Sequence, residues 1–388
     1  MEKPIWMICV THMFLELYLL IQASLIPVII QEFQLNLLEA SLVVTVPSLV
    51  QLSMNIPSGF FADRLNTNHL LFASMLIEGG SALLVSQTNT FWTLVLGVSL
   101  MRIASPIYHI SGLSQISRIT KPEQIGRSIG FHNALGSLGS AIGVVSLAIF
   151  LSTTLGWRWT YLFWAIPILI WGFIILMSPQ LKTWRFEKTK NTNGNGLKRL
   201  YLIFSSGLLI FLIAIGFREV GNTGSSTFMT TYFVEKRNLS VSAASLIFGL
   251  GPFVGIIGSL GGGYLGERRG AKKALSWSII CCAISLFVLS LVSHLYLLIP
   301  VYLFYAFFSN LVWAPMNMIV ANTTSVTERE LSYSVYFFTE GLIASIAPTL
   351  AVGVIGLAND VWLVFPFSIA FILTSLIILQ FLPKPKRK

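Results

Sequence analysis

The sequence predicts an all-α membrane protein, with twelve transmembrane helices in two six-helix halves related by pseudo-two-fold symmetry. Three observations predict it. Hydrophobic residues make up 55% of the chain and charged residues 10%, with a mean hydropathy of +0.78, far outside the range of soluble domains. Twelve apolar runs have about the 20 residues that a helix needs to cross a bilayer. A short phrase occurs twice, as Gly59-Phe-Phe-Ala-Asp63-Arg64-Leu-Asn66 and as Gly263-Tyr-Leu-Gly-Glu267-Arg268-Arg-Gly270-Ala-Lys272-Lys273. Each copy ends one apolar run and turns into the next, which is the mark of an internal duplication.

The runs follow in order. Span 1, about 5–30, is too long for a signal-peptide core and no small-residue cleavage site follows it, so it reads as a retained helix. Span 2 (39–62) ends in the first copy of the phrase, and span 3 (69–87) follows it. Span 4 (91–117) holds Ser105-Pro106 and span 5 (128–151) opens on Ser128-Ile-Gly-Phe-His132. Span 6 covers 157–178. A linker follows at 181–198, polar and Gly-rich from Thr183 to Gly196, and reads as a flexible cytoplasmic loop. Span 7 (199–233) is longer than one crossing requires, and span 8 (239–264) ends in the second copy. Span 9 (274–293) precedes span 10 (295–321), whose Ala314-Pro315 parallels Ser105-Pro106. Span 11 (332–357) opens on Ser334-Val-Tyr-Phe-Phe338, parallel to the start of span 5, and span 12 covers 361–382. The expected halves are therefore 1–180 and 199–382, with a basic tail at 383–388. A proline at matching depth in spans 4 and 10 permits a bend of the kind a cavity-lining helix tolerates.

Basic residues near span ends are retained on the cytoplasmic side. Placing both termini inside collects Lys121, Arg127, Lys182, Arg185, Lys188, Lys190, Lys198, Arg199, Arg268, Arg269, Lys272, Lys273 and the tail Lys384, Lys386, Arg387 and Lys388. Only Arg158, Lys236 and Arg237 fall opposite. The net charge of +10 is thus a topology signal with some attraction to anionic lipid, and gives no support for nucleic acid binding. The expected location is the cell membrane. Cys9, Cys281 and Cys282 all fall within spans and offer neither a disulfide framework nor a metal spacing.

Charged side chains inside a span cost about 2.5–3.5 kcal/mol on insertion scales, so each should face protein or water. Glu16, Glu78, Arg102, Arg218, Glu219 and Glu340 are such residues. His12 and Glu16 are four apart on one face of span 1, and Arg102 and His109 are two turns apart in span 4. Span 7 carries the polar stripe Arg218, Asn222 and Ser225 beside Glu219, Thr223 and Ser226, and span 10 adds Asn310 and Asn317. The alternative for each is a packed, mutually neutralised pair that holds helices together. That reading is preferred for Glu78 and weighs evenly for Glu340, which is expected to pair with a basic residue in the other half. His132 also reads as a packing side chain, and Tyr108, Phe131, Trp313 and Tyr336 as cavity lining or ordinary packing.

The repeated phrase resembles the signature of the major facilitator superfamily, Gly-x-x-x-Asp-Arg-x-Gly-Arg/Lys, on Gly59, Asp63 and Arg64 and again on Gly263, Glu267, Arg268, Gly270 and Lys272. Asn66 and Asn68 replace a glycine and a basic residue in the first copy. The resemblance covers the whole chain. It implies alternating access around a central cavity lined by spans 1, 4, 7 and 10, and a cytoplasmic gate latched by this loop, whose acid gains from a neighbouring helix N-terminus. It also implies an association of Arg102 with proton coupling. Gly130, Gly139 and Gly143 are similar to the glycine spacing of the family's antiporter motif. Tyr108-His109 with Gly130-Phe131-His132 looks loosely like its fosmidomycin-resistance branch.

The function expected is secondary transport of a small organic solute, led by proton-coupled efflux of an amphipathic compound. Glu16 is the expected proton carrier, tuned by His12, with Arg102 as its partner. Arg102, His109, Arg218, Asn222, Asn310 and Asn317 are the expected substrate contacts. The rival is a proton symporter importing a small organic anion held by Arg102 and Arg218. A membrane sensor or scaffold is the alternative of another class, and is expected to carry a soluble domain. No phosphate loop, His-Glu-x-x-His, Gly-x-Ser-x-Gly or paired Cys-x-x-Cys occurs, so neither an enzyme nor an ATP-driven pump is expected. No cofactor or metal is expected, and the resemblance implies a monomer.

Overall fold

In hydrocarbon an unpartnered backbone N–H or C=O costs several kcal/mol, and a helix supplies both partners locally, so each apolar run folds as helix. The computed structural model describes residues 3–62, 65–119, 125–179, 207–323 and 329–383. Span 1 consists of α1 (Lys3–Glu16) and α2 (Ile21–Phe33), and spans 2 and 3 are α3 (Leu37–Ala62) and α4 (Thr67–Ser86). Span 4 is α5 (Phe91–Arg102) with α6 (Ala104–Ile119), and α7 (Ile125–Leu151) and α8 (Arg158–Met177) are spans 5 and 6. Next come α9 (Leu209–Arg237), α10 (Val241–Arg269) and α11 (Ala271–Leu291). Span 10 is α12 (Leu295–Leu311) with α13 (Trp313–Thr323), followed by α14 (Arg329–Ile355) and α15 (Val364–Gln380). Eleven helical stretches among the described residues are long and apolar enough to cross a membrane. The remaining span is α9, whose middle carries Arg218 and Glu219.

Among the described residues, three spans are interrupted. In span 4 the break at Ile103 lies three residues before Pro106, and in span 10 the break at Val312 lies three before Pro315. Proline has no N–H for the carbonyl four residues back, which here is Arg102 or Leu311, so the helix yields just before the ring. Span 1 breaks between Glu16 and Ile21 with no proline in the gap. There a neighbouring helix lies against the gap: a Cβ on Gly143 of α7 would stand 1.7 Å from the Leu17 carbonyl oxygen, and one on Gly139 would stand 2.0 Å from that of Met13. Gly139 and Gly143, two of the glycines that resemble the antiporter motif, are therefore where α7 lies backbone to backbone against span 1. The helix of span 8 runs on to Arg269, past the expected end near 264, because its glycine-rich end packs in the same way. Cβ atoms on Gly258 and Gly262 would meet the carbonyls of Phe307 and Leu311 at 2.4 and 2.0 Å.

The chain divides into two compact units, Met1–Thr189 with Met229–Phe253, and Lys190–Phe228 with Val254–Lys388. Residues 229–253 group with the first six spans through contacts such as Ser242 Oγ donating to the Ala148 carbonyl at 2.6 Å and Gly249 against Val144. In the first unit Arg158 ties three span ends together. It pairs with Glu32 at 2.5 Å and donates from Nε and Nη2 to the Thr88 carbonyl, while Trp157 donates to the same Glu32.

Gly143→Ala is expected to cost about 1–3 kcal/mol through forced helix displacement, seen as a lower melting temperature of the purified protein. Gly80→Ala, where nothing lies within 4 Å of the added Cβ, is the control expected to melt unchanged or higher. Equal melting of the two variants sinks the close-approach account.

Candidate functional site

In the first unit three histidines and Glu16 come together where spans 1, 4 and 5 meet. One helical turn separates His12 from Glu16 in α1, which brings His12 Nε2 to 3.4 Å from Glu16 Oε1. His109 Nε2, from α6, approaches the same oxygen at 3.7 Å. His12 Nδ1 lies 2.9 Å from the His132 carbonyl oxygen. A carbonyl can only accept, so Nδ1 carries its proton and Nε2 of a neutral His12 is a lone pair aimed at a carboxylate. Two acceptors do not face each other stably, so the His12–Glu16 contact holds one further proton, on either partner.

Ring packing fixes His12. His132 stacks on it with centroids 3.8 Å apart and planes within 9°, and Tyr108 lies parallel at 5.4 Å. Tyr108 donates to the Ile8 carbonyl at 2.8 Å, so His132 Nε2, 3.0 Å from the phenol oxygen, is the donor to it. Gly136 leaves the room His12 needs, since a Cβ there would stand 2.3 Å from the imidazole Cε1.

The turn at Ile103 falls between Arg102 and His109. Arg102 Nη2 donates to the Leu19 carbonyl at 2.8 Å and to Gln22 Oε1 at 3.0 Å, so it caps the interrupted backbone of span 1. Arg102 also lines a cavity of about 10 Å³ with Glu16, Tyr18, Glu78 and Ser105, enough for a single water. Glu78, expected as a peripheral structural pair, thus faces the same cavity as Glu16.

The second unit has its own cluster. Arg218 forms a buried ion pair with Glu219, donates to the Ser309 carbonyl at 3.2 Å, and lies over the Trp313 ring. Asn222 Oδ1 accepts from Ser309 Oγ at 2.7 Å, and Ser225 Oγ is 3.0 Å from the Tyr305 hydroxyl. Asn310 is turned back on its own helix, donating to the Ala306 carbonyl at 2.8 Å, and Asn317 lies farther along the same span in α13. Glu340 is buried, with Oε1 lacking a hydrogen-bond partner among the described residues, while Arg218 bonds Glu219 and Ser309.

Of the expected gate, Asp63 and Arg64 lie outside the described residues, and Gly59 closes the last turn of α3. The second copy is fully placed. Gly263 is on α10, Glu267 and Arg268 are exposed at its end, and Arg268 lies 4.6 Å above the Tyr264 ring. Gly270 ends the helix at φ +89°, a left-handed conformation that favours glycine. Lys272 Nζ donates to the carbonyls of Gln380 and Leu382, capping the end of α15.

The family model described as Major Facilitator Superfamily matches residues 8–348, with a second match at 211–388. The chain belongs to the Major Facilitator Superfamily. It is therefore a multi-pass membrane transporter rather than an enzyme. The chain is 21% identical to the probable nitrate transporter NarT of Staphylococcus carnosus over 71% of this chain and 69% of that one. It is 24% identical to the riboflavin transporter RibZ of Clostridioides difficile over 70% of each chain. With the fosmidomycin resistance protein of Escherichia coli the identity is 20% over 70% of this chain and 67% of that one. A bacterial homologue of the human lysosomal transporter Spinster, solved in an inward-facing and occupied conformation, has the same fold, with a TM-score of 0.80 over 98% of this chain and 97% of that one at 15% identity.

Arg218→Ala is expected to destabilise this superfamily member by about 3–5 kcal/mol, because it leaves Glu219 buried without its partner. The double variant Arg218→Met with Glu219→Leu is expected to melt well above that single variant. A double variant melting no higher than Arg218→Ala refutes the ion-pair account.

Proposed function

We propose that this protein is a proton-coupled exporter of a small amphipathic organic compound, with Glu16 as the proton carrier and His12 and His109 as the groups that exchange the proton with it. The observation that carries this reading is the placement of Glu16 Oε1 between two imidazoles at 3.4 and 3.7 Å on interrupted spans. A carboxylate and an imidazole that must share a proton form a group whose charge changes with one protonation step, which is what coupling to a proton gradient requires. His109 keeps 34% of its side-chain surface accessible against 8% for His12, so His109 is the side from which a proton arrives.

The engagement of the two arginines favours export over the rival import of an organic anion. Arg102 bonds Leu19 and Gln22 through Nη2, and Arg218 bonds Glu219 and Ser309, so both guanidiniums already serve groups within the protein. The relatives include proteins named for efflux or resistance as well as for nitrate transport, and support transport without favouring one substrate class. The substrate contacts on the second unit are then Asn222, Asn310 and Asn317, beside the Arg218–Glu219 pair, whose opposite charges cancel. We assign the loops around Asp63 and Arg64, and Glu267 and Arg268, to the cytoplasmic gate, with both termini on that side of the cell membrane.

Purified protein in liposomes containing a pH-sensitive dye tests the reading. Addition of a transported amphipathic compound is expected to alkalinise the side that receives it, whereas acidification of that side establishes the importer. Glu16→Gln is expected to abolish the proton signal while leaving counterflow of labelled substrate measurable. An unchanged proton signal in Glu16→Gln removes Glu16 from the mechanism.

A further inference from the structure

We propose that Glu16, His12 and His109 also form a binding site for a divalent transition-metal ion of the zinc class, with His132 as its positioning residue. The inference rests on donor geometry alone and stands whether or not the same groups carry the coupling proton. Sequence spacing does not show the site, because the three histidines lie about a hundred residues and then some twenty residues apart.

Zinc binds imidazole nitrogen and carboxylate oxygen at about 2.0–2.2 Å, which places tetrahedral ligands about 3.3 Å from one another. Glu16 Oε1 is 3.4 Å from His12 Nε2 and 3.7 Å from His109 Nε2, so these two edges need a contraction of at most a few tenths of an ångström, and the histidine nitrogens, within 4.8 Å of one another, close the third edge by a side-chain adjustment. The planes of His12 and His109 meet at 77°, which lets their in-plane lone pairs converge on one point. One nitrogen from each of His12, His109 and His132 lies within 4.8 Å of the other two.

Bound metals favour histidines whose second nitrogen donates to a carbonyl or carboxylate, because that bond fixes the tautomer and the ring. His12 has this arrangement already, with Nδ1–H on the His132 carbonyl. The His132 ring is not a ligand. It stacks face to face on His12, so the in-plane lone pairs of the two rings run parallel and do not converge, and its Nε2 is held by Tyr108. Three protein donors leave one coordination position open to water or to a solute donor, and the accessible edge of His109 gives a way in. The charge balance is favourable, since Glu16 supplies a negative charge and the nearby Arg102 is turned onto Leu19 and Gln22, facing Glu78 across the same cavity. An ion here joins spans 1 and 4 and takes the lone pairs that a proton would use, so it is expected to block transport.

The test is competition for Zn2+ between the full-length protein in detergent and a chromogenic zinc indicator. One ion per chain is expected, with affinity reduced roughly 100-fold or more in His109→Ala and in Glu16→Gln. Cys281→Ser with Cys282→Ser serves as the control for thiol binding and is expected to bind as the parent does. Co2+ added to the unaltered protein is expected to give the visible absorption of a tetrahedral nitrogen and oxygen site, a readout that needs no variant to fold. Absence of stoichiometric Zn2+ binding, retention of it in both variants, or its loss with the cysteines overturns the proposal. Because these measurements contain no transport step, their failure leaves proton coupling standing, and failure of coupling leaves them unaffected.

Discussion

A helix interrupted within hydrocarbon exposes carbonyl oxygens that no water reaches, and these oxygens must find donors inside the protein. Much of the polar chemistry of this transporter follows from that demand. Span 1 is interrupted where α7 presses glycine against its backbone, and Arg102 of span 4 supplies two hydrogen bonds at the gap. Near the interruption of span 10, Arg218 of span 7 bonds the Ser309 carbonyl. Each unit thus spends a guanidinium on the backbone of an interrupted neighbour. The charge this brings in needs balance in turn, which Glu219 provides in one unit and which Glu16 and Glu78 provide around the small cavity in the other.

The spans were legible in the sequence because hydropathy is a local property. Eleven of the twelve expected runs meet a length and hydropathy threshold, and the exception, α9, is the one in which Arg218 and Glu219 dilute the apolar signal. Pro106 and Pro315 foretold two interruptions because a missing N–H acts within one turn. The interruption of span 1 left no such mark, and the glycine that lies against it, Gly143, is on a helix more than a hundred residues away.

The candidate site was legible to the same depth. His12 with Glu16 follows from four-residue spacing, and the structure brings them together. The spacing of Arg102 and His109 says nothing of Leu19 and Gln22, the groups Arg102 bonds, because those lie on another span. His132 and Glu78 each looked like packing when taken alone, and they gain meaning only from what other spans present to them. The repeat of Phe131-His132 after Tyr108-His109 was the one sequence signal that could have drawn attention to His132.

The parallel rings of Tyr108, His12 and His132 have a mechanical consequence. His132 covers one face of His12 at 3.8 Å, while Tyr108, parallel at 5.4 Å from His12 and 5.9 Å from His132, lies beside the pair rather than on the opposite face. His12 is therefore tied to span 5 both by that face and by its Nδ1–H on the His132 carbonyl, whereas His109 stands edge-on to both rings with part of its surface open. The two imidazoles beside Glu16 are thus unequal in restraint. One is pinned by a neighbouring span, and the other faces the open edge of the cluster.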